Sequence, residues 1–205
     1  MQHRHLPILF ACALALILSA CSIVQAVKLK DCQYAYSHVS DVQFLNMDKR
    51  DLVSITGIAR ITSALAGRSE KVPLSFTVHM KVSNPNKGTA SMDRLFYTVS
   101  LDSIEIAEGS NTESFTVAGG CSADLPLRLH LDLKALLQRN SSPTVRNVIK
   151  NFLGLSDTPS LVTINLRPVI RVAGTSMGVP RSIPISFYYG GKQGEVASAP
   201  LPPAQ

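Results

Sequence analysis

The chain has 205 residues, of which 45% are apolar and 17% are charged, and its formal net charge is +6. This length is sufficient for one domain with a hydrophobic core, and the apolar content excludes disorder over most of the chain. The basic residues are scattered, which argues against a nucleic-acid-binding protein. Two readings of the charge stay open: a solvated surface with a modest basic excess, or weak attraction to anionic lipid headgroups.

Residues 1–20 have the pattern of an export signal. Arg4 precedes an almost wholly apolar run, residues 6–18, which is shorter than the roughly 20 residues of a membrane-spanning helix. The sequence Leu18-Ser19-Ala20-Cys21 follows and resembles the lipobox of bacterial lipoproteins. That resemblance implies cleavage between Ala20 and Cys21, and a diacylglyceryl cysteine with palmitate-type chains at Cys21. The alternative is an unlipidated signal peptide that contains a cysteine by chance.

A lipid anchor places the protein in the cell envelope. Two or three acyl chains anchor a protein stably, whereas one chain binds only marginally. Ser22, rather than Asp, follows Cys21, and in bacteria with two membranes this favours the outer membrane. No second apolar run of 18 or more residues follows. We therefore expect a lipid-anchored, periplasm-facing protein whose chain beyond Cys21 lies in water.

Two cysteines remain in the mature chain, Cys32 and Cys121. In an oxidising compartment they either form one disulfide or stay two separate thiols, and the sequence leaves both alternatives open. Neither cysteine has CxxC spacing, and no cluster of Cys and His suggests a metal site.

Apolar and polar residues alternate along most of the mature chain, as in strands with one buried face. The alternating segments are residues 74–82, 95–101, 125–131, 162–172 and 183–189. Residues 53–61 are predicted as a further strand with a bulge at Gly57, and Pro126, Pro168 and Pro184 are predicted to mark edges or bulges. Antiparallel sheets with packed apolar faces are therefore expected over residues 38–190, after a tether, residues 21–37, and before a disordered tail, residues 191–205.

One helix is predicted among the strands. Ser142 can cap its start, Pro143 suits its first position, and Gly154 suits its end. The apolar residues recur at helical spacing between these limits: Val145, Val148, Ile149, Phe152 and Leu153. The stripe is interpreted as a lid on one end of the sheets or, alternatively, as a helix that closes over a bound hydrophobic ligand.

The strand that ends in Asn84-Pro85-Asn86 resembles the signature of late embryogenesis abundant type 2 proteins, the WHy (water stress and hypersensitive response) domain. The resemblance extends from about Val53 to Tyr189 and includes a strand over 95–101, a pair around a glycine over 104–109 and 114–119, and an aliphatic strand over 125–131. One departure is the turn Asp102-Ser103, where relatives often have Gly or Asn. The resemblance implies an immunoglobulin- or fibronectin-like β-sandwich with one helix and no catalytic residues, active in stress protection or membrane-associated binding.

The tripeptide itself is a turn-forming device. Asn84 can form an Asx turn, Pro85 fixes its own φ, and Asn86 tolerates a left-handed backbone. We therefore interpret these residues as structural rather than ligand-binding.

The sequence contains none of the common catalytic motifs. Histidines of the mature chain are His38, His79 and His130, and the last two fall on the polar faces of their predicted strands. No nucleophile elbow, zinc-protease motif or phosphate loop occurs. We expect no enzyme, no cofactor and no metal.

Three functions are compatible with an anchored sandwich. The first is a binding or protective module that contacts lipid, an envelope protein or an extended peptide. The second is a carrier of a lipid or another hydrophobic ligand in an apolar cavity, and the third is an accessory subunit of an outer-membrane complex. A void of a few hundred Å³ beneath the predicted helix would favour the carrier.

Overall fold

The computed structural model describes residues 28–45, 47, 54–67, 71–139, 143, 147, 150–151, 156, 158–172, 175–179 and 181–189. The described strands and longer helices, in chain order, are β1 (Gln33–Phe44), α1 (Ile55–Ala66), β2 (Pro73–Ser83), β3 (Ala90–Met92), β4 (Arg94–Leu101), β5 (Ile104–Asn111), β6 (Phe115–Val117), β7 (Ser122–Asp132), α2 (Leu133–Arg139), β8 (Ser160–Val172), β9 (Thr175–Gly178) and β10 (Ile183–Tyr189).

The strands form an antiparallel β-sandwich. One sheet has the order β1-β2-β7, and the other has the order β10-β8-β4-β5 with β9 beside one end of β8. A two-stranded sheet, β3-β6, completes the set. The alternating apolar side chains of the two larger sheets form one buried core, which confirms the predicted fold class.

The core is densest along β2 and β7, where the alternation is longest. Met80 and Val82 on β2 are fully buried, as are Leu125, Leu127 and Leu129 on β7. Each such side chain contributes roughly 1.5–3 kcal/mol when it leaves water. The polar residues between them stay on the outer face. The alternation of apolar and polar residues therefore determines which face of the sheet packs into the core.

The strand β1 lies where the sequence analysis placed the tether and the start of the domain. Two register shifts interrupt its pairing with β2, one between Tyr36 and His38 and one between Ser40 and Gln43. Asp41, at the second shift, has a left-handed backbone (φ 52°). These bulges break the two-residue period, which is why alternation did not reveal the strand. The sheet therefore begins at Gln33, before the expected boundary at residue 38.

The strand predicted over residues 53–61 is wrong, because this segment belongs to helix α1. Ser54 caps the helix, and its Oγ accepts a hydrogen bond from the Gly57 N–H at 2.9 Å. The apolar residues Ile55, Ile58, Ile61 and Leu65 also recur at spacings of three and four, which is the helical period. Gly57 is thus a residue of the first helical turn and does not mark a bulge.

The prolines meet the expectation of edges in two of three cases. Pro126 lies on β7 and Pro184 on β10, and both strands are at sheet edges. Pro168 instead lies in β8, an interior strand, opposite Leu95 of β4. Its carbonyl accepts from the Val179 N–H at 2.9 Å, on the side away from β4. Pairing with β10 stops at Leu166, so the missing N–H of Pro168 falls at a junction between two partner strands.

Two further connections differ from the expectation. The segments 104–109 and 114–119 do not pair with each other, since β5 pairs with β4 and β6 pairs with β3.

After β7 the chain turns into helix α2, which was not predicted. The Asp132 carboxylate accepts from the N–H groups of Val72, Lys134 and Ala135, and these bonds, led by that from Val72, lower its pKa. Asp132 therefore ends the strand and begins the helix.

Several predictions concern residues outside the described ones. They are the signal segment 1–20, the lipidation site Cys21, the apolar stripe from Val145 to Leu153 and the tail 191–205. Of the predicted helix, Pro143, Asn147, Lys150 and Asn151 are described, and all four are helical. None of the helices in the described part of the chain is long and apolar enough to cross a membrane.

A first prediction concerns Gly109 in β5, which lies against the buried ring of Tyr97. A Cβ on Gly109 would come within 2.5–2.7 Å of that ring. The phenol of Tyr97 donates to the Arg128 carbonyl of β7, so the ring cannot move aside without losing this bond. We expect Gly109→Ala to lower the free energy of unfolding by about 1–3 kcal/mol, measured by urea denaturation of the full chain in detergent.

Gly178→Ala is the matched control, because Gly178 also lies in a strand but a Cβ there would meet no atom within 4 Å. Its stability should stay within about 0.5 kcal/mol of the wild-type value. Equal effects of the two substitutions would contradict the close packing of Tyr97 on Gly109.

Candidate functional site

An apolar cavity of about 50 Å³ lies between the two large sheets. The described part of its wall is formed by side chains from both sheets and by Asn151 of the predicted helix. The described lining residues are Tyr36, Val39, Phe76, Val78, Val99, Leu101, Ile106, Leu129, Asn151, Val162, Phe187 and Tyr189. The volume is far below the few hundred Å³ that would favour a carrier of a large ligand. Among the described lining residues Asn151 is the single amide, and the others are aliphatic or aromatic.

The hairpin between β4 and β5 builds the polar support beneath Asn151. Both turn residues, Asp102 (φ 47°) and Ser103 (φ 71°), have a left-handed backbone, and Leu101 pairs with Ile104 across them. This is the pattern of a two-residue type I′ hairpin, which favours Gly and Asn. Asp102 compensates with its carboxylate, whose Oδ1 accepts from the Leu161 N–H at 2.9 Å and whose Oδ2 accepts from Ser160 Oγ at 2.7 Å.

The amide of Asn151 is oriented by this support. Asn151 Nδ2 donates to Ser160 Oγ at 2.7 Å, and both side chains are buried, with exposed fractions of 3% and 2%. Ser160 has one hydroxyl proton and gives it to Asp102, so it can only accept from Asn151. The amide nitrogen must therefore face Ser160. The oxygen Oδ1 is then left buried with no hydrogen-bond partner.

Aromatic residues cover the cavity where the edge strands β1 and β10 approach each other. The rings of Tyr36 and Phe187 stack with their centroids 4.9 Å apart, and Tyr189 meets Tyr36 edge-on at 6.0 Å. Burial, with a smaller effect from Tyr189, raises the pKa of Tyr36 to about 12, and burial also raises the pKa of Tyr189. Both phenols are therefore neutral at ordinary pH, and the described part of the cavity wall carries no charge.

A row of polar side chains crosses the outer face of the β1-β2-β7 sheet. His79 Nε2 lies 2.9 Å from Ser40 Oγ, and His79 Nδ1 lies 2.7 Å from Asp124 Oδ2. His38 stacks on His79, with ring centroids 4.2 Å apart. The spacing is that of a nucleophile, a base and a carboxylate.

In this row the Ser40 hydroxyl has a competing acceptor. Ser40 Oγ donates to Asp41 Oδ2 at 2.7 Å, and its one proton is then not available to His79 Nε2. Hydrogen bonds from Ser40 and Thr77 are the main causes that lower the pKa of Asp41. Among the described residues, no group of three or more His, Cys, Asp or Glu side chains is placed to hold a metal ion.

The Asn84-Pro85-Asn86 motif joins three parts of the fold. Asn84 is 1% exposed, and its Oδ1 accepts from the Asn86 N–H at 3.0 Å, which is the Asx turn. Its Nδ2 donates to the carbonyls of Gly88 (3.0 Å) and Val117 (3.1 Å). Asn86 is not among the described residues with a left-handed backbone. The polar atoms of Asn84 are thus used within the fold, and the motif has a structural role.

Gly119 completes the contact around this turn. A Cβ on Gly119 would overlap the backbone carbonyls of Asn86 and Lys87. The backbone N–H of Asn84 donates to the Cys121 carbonyl, and the Gly120 N–H donates back to the Asn84 carbonyl, both at 2.9 Å. The loop before β7 is therefore held directly on the end of β2.

Cys32 and Cys121 are free thiols, Cys32 buried and Cys121 exposed. Gln33 and Ser122 both pair with Ser83, from opposite sides of β2. Cys32 precedes Gln33 and Cys121 precedes Ser122, so the two cysteines are two strand spacings, about 10 Å, apart. A disulfide spans at most roughly 7 Å between Cα atoms. Of the two alternatives, the structure has the separate thiols.

Sequence reasoning missed the groups that the fold brings together here. Asn151 and Asp102 lie 49 positions apart in the numbering, and Ser40 lies on a strand that alternation did not reveal. Asn151 lies between apolar positions of the predicted helix. An amide at such a position is a signal in the sequence that could have pointed to these groups. His79 was placed on the polar face of its strand, and its ring does lie on the outer face.

Comparison with known proteins finds similarity in structure alone. No protein-family model matches the chain, and no curated protein matches it. A protein from Archaeoglobus fulgidus is similar over 82% of this chain and 99% of its own, with 11% identity and a TM-score of 0.35. The solution structure of AT1g01470 from Arabidopsis thaliana is similar over 82% of this chain and 84% of its own, with 14% identity and a TM-score of 0.36.

A third solved structure is described as a late embryogenesis abundant (LEA) protein, At2g46140.1. It is similar over 88% of this chain and 90% of its own, with 11% identity and a TM-score of 0.34. At these scores the function of the chain has to be argued from its own residues.

A second prediction concerns Asn84. Asn84→Ala removes the donors to two carbonyls and the acceptor of the Asx turn at a buried position. We expect the free energy of unfolding to fall by about 2–4 kcal/mol, measured by urea denaturation. Asn111→Ala is the control, because its Oδ1 accepts an exposed hydrogen bond from the Glu113 N–H and its loss should cost less than about 1 kcal/mol. Similar losses in both variants would show that Asn84 does not hold the loops together.

A third prediction concerns the thiols. Burial, with a smaller effect from Asp31, raises the pKa of Cys32, so its reactive thiolate is scarce as well as shielded. Under native conditions a maleimide should label Cys121 within minutes and Cys32 only after denaturation, as read by peptide mass spectrometry. Recovery of a Cys32–Cys121 disulfide from non-reduced protein would contradict the strand register.

Proposed function

We propose that the chain is an exported lipoprotein of the bacterial cell envelope, anchored through acylated Cys21, whose β-sandwich is a non-catalytic binding or protective module. The observation that carries this proposal is the sequence Leu18-Ser19-Ala20-Cys21 directly after an apolar run of signal-peptide length. Ser22 favours the outer membrane, with the sandwich in the periplasm. The WHy resemblance adds a stress- or desiccation-type role.

The start of the fold supports a short distance between lipid and protein. Leu29 is 1% exposed, and its carbonyl accepts from the Tyr34 phenol at 2.7 Å. The carbonyl of Lys28 accepts from Asn86 Nδ2 at 3.4 Å. Six residues lie between Cys21 and Lys28, and a chain of this length spans at most about 25 Å. The end of the sandwich with Asn86 would therefore face the membrane.

The charge at this end suits anionic headgroups. Lys28, Lys30 and Lys87 lie at or beside the first described turn and the Asn84 motif, with Asp31 as their acidic neighbour. Each lysine close to an anionic surface adds about 1 kcal/mol of attraction. The basic excess of the chain would thus supplement the lipid anchor.

A binding role is favoured over catalysis by the chemistry of the described residues. In the row of Ser40, His79 and Asp124, the Ser40 hydroxyl donates to Asp41, which competes with His79 for its proton. The edges of both sheets offer strands for an extended peptide or an envelope protein. A subunit role in an outer-membrane complex would use the same edges.

The second candidate function is a carrier of a hydrophobic ligand. The specific observation in its favour is the apolar cavity between the two large sheets. Its small volume limits the ligand to a small molecule, or to one end of a larger molecule.

A fourth prediction tests the anchor. Cys21→Ser removes the thiol that receives the diacylglyceryl group, so labelling with radioactive or alkyne-bearing palmitate should be lost and the protein should leave the membrane fraction. Cys12→Ser is the matched control, because Cys12 lies within the apolar run without the lipobox residues before it. That variant should keep its label. Palmitate labelling that persists in Cys21→Ser would overturn the anchor.

A further inference from the structure

An open groove of about 540 Å³ crosses β4 on the outer face of the sheet β10-β8-β4-β5. The side chain of Tyr97 turns into the core, so its neighbours on β4 point out into this groove. The outward residues that line the groove are Phe96, Thr98, Glu108, Ser110 and Arg167, and it is called the Phe96 groove below. Its volume is in the range of small-molecule sites, roughly 300–1,000 Å³.

The strand pairing determines how the charges of the Phe96 groove are arranged. Phe96 lies between Ser110 of β5 and Arg167 of β8, and Thr98 lies opposite Glu108 of β5. A positive charge is therefore exposed on the β8 side of the groove and a negative charge on the β5 side. Between them lies an aromatic ring that is 45% exposed. The groove thus combines a guanidinium, an apolar surface and a carboxylate in that order across the strands.

The polar side chains of the Phe96 groove have no partners within the described part of the chain. No ion pair or side-chain hydrogen bond there involves Thr98, Glu108 or Arg167. The outer face of the β1-β2-β7 sheet differs, because its polar groups bind one another, as in the contact of His79 with Asp124 at 2.7 Å. The groups of the groove are therefore available to a ligand.

The distance between the two charges indicates the length of that ligand. Arg167 and Glu108 lie on the two neighbours of β4 and are offset by two residues along it. Two strand spacings of about 4.8 Å and two residues of about 3.4 Å place their Cα atoms about 12 Å apart. A single amino acid has only about 2.5 Å between its ammonium nitrogen and its carboxylate carbon. Three extended residues cover about 10 Å, which suits this span better.

We propose that the Phe96 groove binds a short linear peptide of about three residues, laid across the strands. Its carboxylate contacts Arg167, its ammonium contacts Glu108, and an apolar side chain lies on the Phe96 ring. A guanidinium binds a carboxylate through two parallel hydrogen bonds, and the Thr98 hydroxyl can bond a peptide group. This inference rests on the binding module of the proposed function, but it is independent of the lipid anchor at Cys21.

The test uses the tripeptide Ala-Phe-Ala and its derivatives as probes. The full chain in lipid nanodiscs is titrated at about pH 6.5, where the peptide ammonium is charged, and the amide NMR shifts of Phe96, Thr98 and Ser110 are followed. We expect amidation of the carboxylate, or acetylation of the ammonium, to weaken binding about two- to fivefold each, as one exposed ion pair predicts. Ala-Gly-Ala, which has no side chain for the Phe96 ring, should also bind more weakly.

Two variants assign each end of the peptide to a residue. Arg167→Gln should weaken binding of Ala-Phe-Ala about two- to fivefold but leave the affinity of the amidated peptide unchanged, because that peptide has no carboxylate. Glu108→Gln should act in the same way on the free and the acetylated peptide. Lys81→Gln is the matched control, since Lys81 is exposed on the opposite sheet, and it should change no affinity. All three positions are exposed, so urea denaturation should show unchanged stability.

Three results would overturn the proposal. The first is absence of shifts at the three amides up to the solubility limit of Ala-Phe-Ala. The second is an equal effect of Arg167→Gln on the free and the amidated peptide, which would place the carboxylate elsewhere. The third is a uronic acid that binds the groove more tightly than every peptide, which would make a carboxylated sugar the ligand class. Palmitate labelling at Cys21 would be unchanged in each case, so failure of this site and failure of the anchor are distinguishable.

Discussion

The hydrogen bonds of Asn84 are the constraint that holds the two-stranded sheet and the loop before β7 on the end of β2. Its backbone groups bind the loop before β7, and its side chain binds the carbonyls of Gly88 and Val117. One residue thereby links the three-stranded sheet to the two-stranded sheet and to the chain that leads into β4. Because these groups are buried, any displacement of one sheet leaves unpaired polar atoms in the core. Gly119 allows the close approach that these bonds require, because a Cβ there would overlap the backbone of Asn86 and Lys87.

Alternation of apolar and polar residues predicted the parts of the fold that a half-buried strand specifies locally. The segments around Phe76, Tyr97, Leu127 and Ile164 all proved to be strands with the expected inner faces. Burial of one face of a strand depends on its own sequence, which is why this signal could be recognised without knowledge of the partners.

The errors occur where a local signal was ambiguous or interrupted. Residues 53–61 satisfy a two-residue period, but they also satisfy a helical one, and Ser54 decides between them by capping a helix. The bulges of β1 destroy the alternation at Tyr36 and Asp41, so that strand was hidden. The cavity was beyond sequence reasoning for a different reason: Asn151, Ser160 and Asp102 meet through tertiary packing, and no spacing rule connects them.

The cavity lies along the sandwich from the Asn84 turn, and under the proposed lipid anchor this separation has a functional consequence. β4 begins at Arg94, shortly after the Asn84 turn, and ends at Leu101 in the cavity wall. Eight residues of strand cover roughly 25 Å. Under the proposed anchor, with six residues between Cys21 and Lys28, the cavity would lie on the far side of the Asn84 turn from the membrane surface. Under the carrier candidate, a ligand held there would then be exchanged with the periplasm or with a partner protein, rather than drawn directly from the bilayer.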